Sequence, residues 1–182
     1  MSKFLWLDLE MSGLQVASNV IIEAAAIVTN DKWEQLATYH SVVRQPQFYI
    51  DRMDEWNRTH HTKSGLIEQI PRGKPPELVE EELMTLIDQH FSETDKPILA
   101  GNSIHLDRNF IDFHWPRLAE RLHYRMLDVT SWKLVLKSIF GVEYEKGDSH
   151  RALDDIQESI NELKTYLSYI KTDKIKKLKV VK

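Results

Sequence analysis

Apolar and polar positions alternate over residues 3–10, KFLWLDLE, the period-two signature of a strand with one face in a core. Residues 20–29, VIIEAAAIVT, form a longer apolar run, β-branched toward its ends, and predict a second strand. Alternation returns over residues 36–44, LATYHSVVR, for a third. The links contain Ser12-Gly13 and Asn30-Asp31, which are turn residues, so the three strands predict an antiparallel meander.

Beyond the meander the period changes. Residues 53–70 lose alternation and predict short helices, and the stretch from Pro71 to Pro76 is a break. Glu77–Phe91 predicts a helix entered through Pro76, with Val79, Leu83, Leu86 and His90 on one stripe. Pro97–Gly101 reads as a short buried strand, Ile104–Phe113 as a helix stopped by Pro116, and Tyr124–Val129 as a fifth strand. Thr130–Phe140 reads as a helix and Gly141–Ser149 as a polar loop. Arg151–Ile170 has the clearest helical period, with Leu153, Ile156, Ile160, Leu163, Leu167 and Ile170 at steps of three and four. The order of elements predicts an α/β fold: a ribonuclease-H-like mixed five-stranded sheet with helices on both faces.

The chain has 182 residues, one domain's worth, and 42% of them are hydrophobic, enough for a sizeable core. Cysteine is absent, which excludes disulfides, thiolate metal sites and cysteine nucleophiles. The opening residues meet acids too early for a signal peptide, and no apolar run is long enough to span a bilayer. A cytoplasmic protein is expected. The net charge of -4 is unevenly spread. Residues 171–182 hold six Lys and one Asp, leaving 18 basic against 27 acidic residues in the other 170. Residues 1–170 are thus expected to form one domain and 171–182 a Lys-rich tail. The tail is a phosphate-attracting arm or a solvated terminus. An acidic body is a poor binder of long duplex nucleic acid.

Several carboxylates sit where burial is expected. Asp8 and Glu10 lie two apart in the first strand and share a face. Like charges on a buried strand need compensation, from a divalent cation, an arginine or an opening to water. Asp107 shares a helix face with Ile104 and Phe110, as a ligand or as an acid at a helix start. On the last helix Asp155 falls about 110° from the centre of the apolar stripe and Asp154 about 150°. Asp155 is therefore the candidate ligand, and Asp154 faces solvent. His150 precedes this helix after Gly147-Asp148-Ser149. It is a general base beside acids, or a solvated loop histidine.

Taken together these residues make D-x-E, a second-element Asp and H-x-x-x-x-D, a pattern that resembles the DEDD exonuclease superfamily in its His-containing variant. Longer strings are similar to the oligoribonuclease family: WLDLEMSGL from Trp6 to Leu14, GNSIHLDR from Gly101 to Arg108, HYRMLDV from His123 to Val129, and SHRALDDIQES from Ser149 to Ser159. Asp54-Glu-Trp56 followed by HTKSGL from His61 to Leu66 is a fifth. Residues 15–19 are less charged than the family pattern, and the tail extends past it.

The resemblance implies a 3′-to-5′ exoribonuclease for very short RNA, dinucleotides above all, releasing nucleoside 5′-monophosphates. It implies two Mg²⁺ or Mn²⁺ ions held by Asp8, Glu10, Asp107 and Asp155, with His150 as the base. Leu14 would wedge against a base, and Trp56 and Tyr124 would stack on bases; any single aromatic is more often packing. Ser103, Arg125 and Thr130 would grip a terminal 5′ phosphate. A homodimer is implied, with Tyr124-Arg125 reaching the partner's site. The competing expectations are an exonuclease for longer RNA or DNA, a catalytically dead nucleotide sensor, and a structural protein whose acids form ion pairs.

Overall fold

The computed structural model describes residues 3–145 and 151–170. Strands β1 (Lys3–Met11), β2 (Ile21–Asn30) and β3 (Gln35–Val42) form the expected antiparallel meander. Strands β4 (Ile98–Gly101) and β5 (Met126–Asp128) add in parallel on the other side of β1. The order is β3-β2-β1-β4-β5, so β1 is central and has neighbours on both edges. The fifth strand is shorter than the apolar pattern suggests. Tyr124 and Arg125 precede it and are exposed, because the pairing with β4 begins only at Met126.

Helices cover both faces. Helices α1 (Gln47–Asp51), α2 (Glu55–Lys63) and α3 (Leu66–Gln69) follow the meander, then a 3₁₀ turn at Ile70–Arg72. Helix α4 (Pro76–His90) starts with Pro at its first position, where the missing N–H costs nothing. After β4 come α5 (His105–His114) and α6 (Pro116–Arg121). The hydrophobic pattern did not predict α6; Pro116 ends one helix and opens the next, instead of only stopping the first. Helix α7 (Val129–Phe140) is capped at its start by Asp128, whose side chain accepts from the Thr130 amide. It ends at Gly141, whose φ of +64° suits the left-handed C-terminal turn. Helix α8 (Ala152–Ser168) is the last element among the described residues.

Alternation along β1 divides the core. Leu5, Leu7 and Leu9 point to one layer, with Val79 and Leu83 of α4, Phe110 of α5 and Leu118 of α6. Trp6 points to the other, with Ala25 and Ile27 of β2 and the stripe Ile156, Ile160, Leu163 and Tyr166 of α8. Asp8 and Glu10 have the parity of Trp6, so they lie on the face that α8 covers. No helix among the described residues is long and apolar enough to cross a membrane. The Lys-rich tail expected at 171–182 lies outside the described residues.

Candidate active site

The site begins where the sheet stops being paired on both edges. Strand β1 pairs with β4 only from Phe4 to Trp6, then runs on toward Met11. Past that point the Leu9 amide is free of the β4 ladder, and Asp107 Oδ1 on the first turn of α5 accepts from it at 2.9 Å. On the α8 face, Asp8 and Glu10 meet Asp155 from the first turn of α8. One carboxylate oxygen from each of these three lies within 4.8 Å of the others. Asp154, one residue earlier, is exposed, as the wheel predicts.

Clustering has an electrostatic cost. Burial, then the charges of Asp107, Glu10 and Asp155, push the Asp8 carboxyl well above the ordinary aspartate range. Burial, then Asp155, Glu23 and Asp107, push Glu10 up to about 8. Burial raises Asp107 to about 7, against the opposing pull of the Leu9 hydrogen bond. An all-oxygen set of carboxylates, poorly compensated by the protein, fits a hard divalent cation such as Mg²⁺ or Mn²⁺. The donor chemistry therefore fits the metal centre expected from the sequence.

Glu23 escaped the sequence-based expectations. It lies opposite Glu10 on β2 and is fully buried. Its Oε1 accepts from Arg151 Nη2 at 2.6 Å, Arg151 Nε at 2.9 Å and His40 Nε2 at 2.7 Å. Its Oε2 accepts from the Ala152 amide at 3.3 Å, at the start of α8. Burial opposes its charge, but the His40 and Arg151 hydrogen bonds outweigh that, and its carboxyl stays below the usual range. Glu23 thus ties the N-terminus of α8, and with it Asp155, to the sheet. Its signal in the sequence was a lone acid in an apolar strand. His61 was also missed as a site neighbour. Its Nε2 donates to the Met11 carbonyl at 3.0 Å, its Nδ1 lies 4.0 Å from Glu10, and burial lowers its pKa.

The remaining expected residues that the structure describes fall into three groups. Leu14 and Trp56, both largely exposed, line one pocket of about 540 Å³ with Arg52 and Asn57. The Trp56 ring stacks on His60 at 3.8 Å. Ser103 and Thr130 are joined, the Ser103 amide donating to Thr130 Oγ1 at 2.8 Å and to Asp128 Oδ1 at 3.0 Å. Tyr124 is 74% exposed, stacks on His123 and carries the Arg125 guanidinium over its ring at 5.2 Å. His150 lies outside the described residues.

Residues 5–163 match the RNase_T exonuclease family. The chain is 38% identical to a mitochondrial oligoribonuclease of Mus musculus over 98% of its own length and 78% of that protein's. It is 41% identical to an oligoribonuclease of Francisella tularensis subsp. tularensis over 89% of this chain and 92% of the relative. An oligoribonuclease of Coxiella burnetii is 38% identical, with 91% of this chain and 93% of the relative covered. Among solved structures, E. coli exonuclease I in complex with a 5cy-dA13 oligonucleotide superposes with a TM-score of 0.69 at 14% identity. That match covers 92% of this chain and 41% of the other, so this chain spans about two fifths of exonuclease I, and the likeness shows a shared fold. The acid-bearing β1, the covering α8 and these relatives agree: the chain is a nuclease, a member of the oligoribonuclease family of exonucleases.

Proposed function

We propose that this protein is a metal-dependent 3′-to-5′ exoribonuclease that degrades very short oligoribonucleotides, diribonucleotides above all, to nucleoside 5′-monophosphates. The observation that carries the proposal is the convergence of Asp8, Glu10 and Asp155 on one half-buried point, with Asp107 beside them, in a chain of oligoribonuclease kinship. These four carboxylates would hold two divalent ions, Mg²⁺ or Mn²⁺. When bound, such ions acidify water and neutralise charge on the phosphate and the leaving oxygen.

The chain's own groups supply the rest. Asp107 commits one oxygen to the Leu9 amide, which fixes its carboxylate plane and leaves the other oxygen to a cation. Glu23 occupies Arg151, so the guanidinium tempers the charge of Glu10 without capturing it. His150 takes the proton of the attacking water. Leu14 and Trp56 seat the bases, a sequence-tolerant contact worth about 1–3 kcal/mol per base. Ser103, Thr130 and Arg125 close the site on the terminal 5′ phosphate, and Tyr124 adds a base-stacking face. A protein whose residues 1–170 are acidic holds RNA this way because few phosphates are engaged and cations neutralise them.

The protein acts as a homodimer in this reading. Leu134, Val135 and Ile139 of α7 are exposed on one side of that helix, an apolar surface that a second copy would cover while bringing its Tyr124-Arg125 to the neighbouring site. The domain ends near residue 170, residues 171–182 are an appended tail, and the compartment is cytoplasmic; fractionation tests the last, since mitochondrial relatives exist.

Turnover of a 5′-labelled diribonucleotide beside a seven-mer, with Mn²⁺ or EDTA, for the wild type and Asp155→Ala, tests the proposal. Metal-dependent cleavage fastest on the dinucleotide and absent in the variant is expected. Cleavage of the seven-mer with the dinucleotide left intact would overturn the short-substrate reading. Binding of the dinucleotide without cleavage of either would make the protein a sensor.

A further inference from the structure

The connection from β1 to β2, residues 12–20, folds into a small closed loop that presents Leu14 to the base pocket. At its base the Ser12 amide donates to the Val20 carbonyl at 2.9 Å, and the Val20 amide to Ser12 Oγ at 3.0 Å. Within it the amides of Ser18 and Asn19 both donate to the Gln15 carbonyl, at 2.9 and 2.8 Å. The Asn19 side chain fills the middle. Its Oδ1 accepts from the Gln15 amide at 2.9 Å, and its Nδ2 donates to the Ser12 carbonyl at 3.4 Å. A Cβ on Gly13 would lie 2.7 Å from that side chain, so glycine is what lets the backbone pass so close. Leu14 itself is largely exposed, so the loop backbone sets its place more than packing of its own does.

Those bonds give the loop its shape but do not fix where it stands over the pocket. Val16 adds an apolar contact with the core layer of α4 and α5. Among the described residues, the one hydrogen-bond partner of residues 13–19 outside the connection is His114, the last residue of α5. Its Nε2 lies 3.0 Å from the Asn19 carbonyl and 3.2 Å from the Val16 carbonyl. Carbonyls only accept, so Nε2 carries a proton and shares it between them, in the neutral ring and in the imidazolium alike. The half-buried ring lies nearly parallel to that of Phe110, one turn back in the core, with centroids 5.7 Å apart. Core packing thus aims the donor. At its other end α5 carries Asp107, which takes the Leu9 amide of β1. The same helix therefore holds β1 beside the acidic cluster with its first turn and the Leu14 loop with its last residue.

We infer that His114 is a positioning residue for the substrate: it fixes the loop that carries Leu14 and so sets the base seat relative to the acidic cluster. The inference rests on the reading of Leu14 as a base wedge and adds what holds the wedge. A loop free to swing about Ser12 and Val20 would present Leu14 to the base in only a fraction of its conformations, and the apparent affinity would fall by that fraction. Turnover of a substrate once seated would not fall with it, because β1, α5 and α8 hold the carboxylates and the loop does not.

The test measures kcat and KM on a 5′-phosphorylated diribonucleotide with Mn²⁺ and the full chain, together with amide hydrogen exchange of residues 13–19. His114→Phe keeps a ring on Phe110 and removes the donor. It is expected to raise KM about 3- to 10-fold, the range that one hydrogen bond commands, with kcat changed by less than about twofold. Exchange of the loop amides should quicken in that variant while exchange in α5 stays as it is. His114→Gln, whose amide nitrogen reaches as far as Nε2, is expected to keep the wild-type KM. His114→Asn, one bond shorter, should behave as His114→Phe and stands in for it if that variant misfolds. In a Leu14→Ala background, which itself raises KM, His114→Phe should add less than about twofold, because His114 acts through Leu14. Unchanged loop exchange in His114→Phe, a full further rise in KM in the Leu14→Ala background, or a fall in kcat as large as the rise in KM would overturn the inference. A Leu14→Ala variant with wild-type KM, beside a loop that still loosens in His114→Phe, would instead overturn the base-wedge reading beneath it.

Discussion

Stripping the protein of divalent ions should make it lose stability as pH rises, the reverse of the usual behaviour of a carboxylate held in an ion pair. A carboxyl whose pKa is raised by folding contributes stability that is fully present below its unfolded pKa and is lost as pH climbs through the folded value. For Glu10 that window runs from 4.5 to about 8. Each pKa unit corresponds to about 1.4 kcal/mol, so the whole shift would amount to about 5 kcal/mol. Glu10 is one-fifth exposed and shares its repulsion with Asp8 and Asp155, so roughly 2–4 kcal/mol is the reasonable share. At this chain length each kcal/mol moves Tm by about 2–4 °C, so a fall of about 5–15 °C is expected between pH 5 and 8.5 in EDTA. His61 pulls the other way: burial lowers its pKa, so its contribution grows as pH rises through the ordinary histidine range. Thermal melts of Glu10→Gln isolate the glutamate, because the variant keeps His61 and loses the carboxyl. Its Tm in EDTA should be flatter with pH than that of the wild type. The stabilisation gained on adding Mn²⁺ should grow with pH in the wild type, since cations bind the ionised form. A Tm in EDTA that rises from pH 5 to 8.5, or a Glu10→Gln slope equal to the wild type's, would refute the reasoning.

Glu23→Ala strands the Arg151 guanidinium and the first amide of α8, and urea unfolding should show a loss of about 3 kcal/mol or more. In the same variant Mn²⁺ affinity, read by calorimetry, should fall, because Arg151 is released toward Glu10. Trp56→Ala should raise KM for a dinucleotide roughly 5- to 150-fold with a smaller effect on kcat, the range that one lost base stack allows. Asp154→Ala should retain most of the turnover that Asp155→Ala abolishes, since Asp154 is exposed and Asp155 faces the cluster. Leu163→Ala, in the packed layer between α8 and the sheet, should destabilise by about 2–5 kcal/mol in urea without changing the preference for short substrates.

Most of the fold was legible because its elements carry strong periods. Alternation placed β1 and β3, the unbroken apolar run placed the doubly covered β2, and the steps of three and four placed α8. Where the period was weak, the expectations drifted. Strand β5 contributes only three residues, and Tyr124-Arg125 read as strand although that pair stays outside the ladder. Helix α6 is a turn and a half long, too short to show a helical period of its own. The placement of Asp155 beside the buried face followed from wheel arithmetic, because a regular helix fixes angles whatever it packs against.

What could not be read from the chain is pairing across it. Nothing local to Glu23 says that Arg151, far along the sequence, will meet it, and nothing local to Asn102 says that Glu162 will orient its amide. Both contacts follow from one fact of topology: β1 is central, and α8 lies across its α8-facing side, touching β2 at one end and the loop after β4 farther along its length. Asp8 and Glu10 alternate with leucines because one side of β1 must be core while the other must hold charge. That charge would be balanced by a cation shared with Asp155, which α8 brings to the cluster, and Glu23 draws Arg151 close enough to temper the field. The same helix, two turns on, presents Glu162 to Asn102 and so reaches the hydroxyls of Ser103 and Thr130. One helix therefore positions both Asp155 in the acidic cluster and, through Glu162 and Asn102, the hydroxyls of Ser103 and Thr130. A shift of α8 along its axis should disturb metal affinity and 5′-phosphate preference together, whereas a lesion in the Leu14–Trp56 pocket should leave both intact.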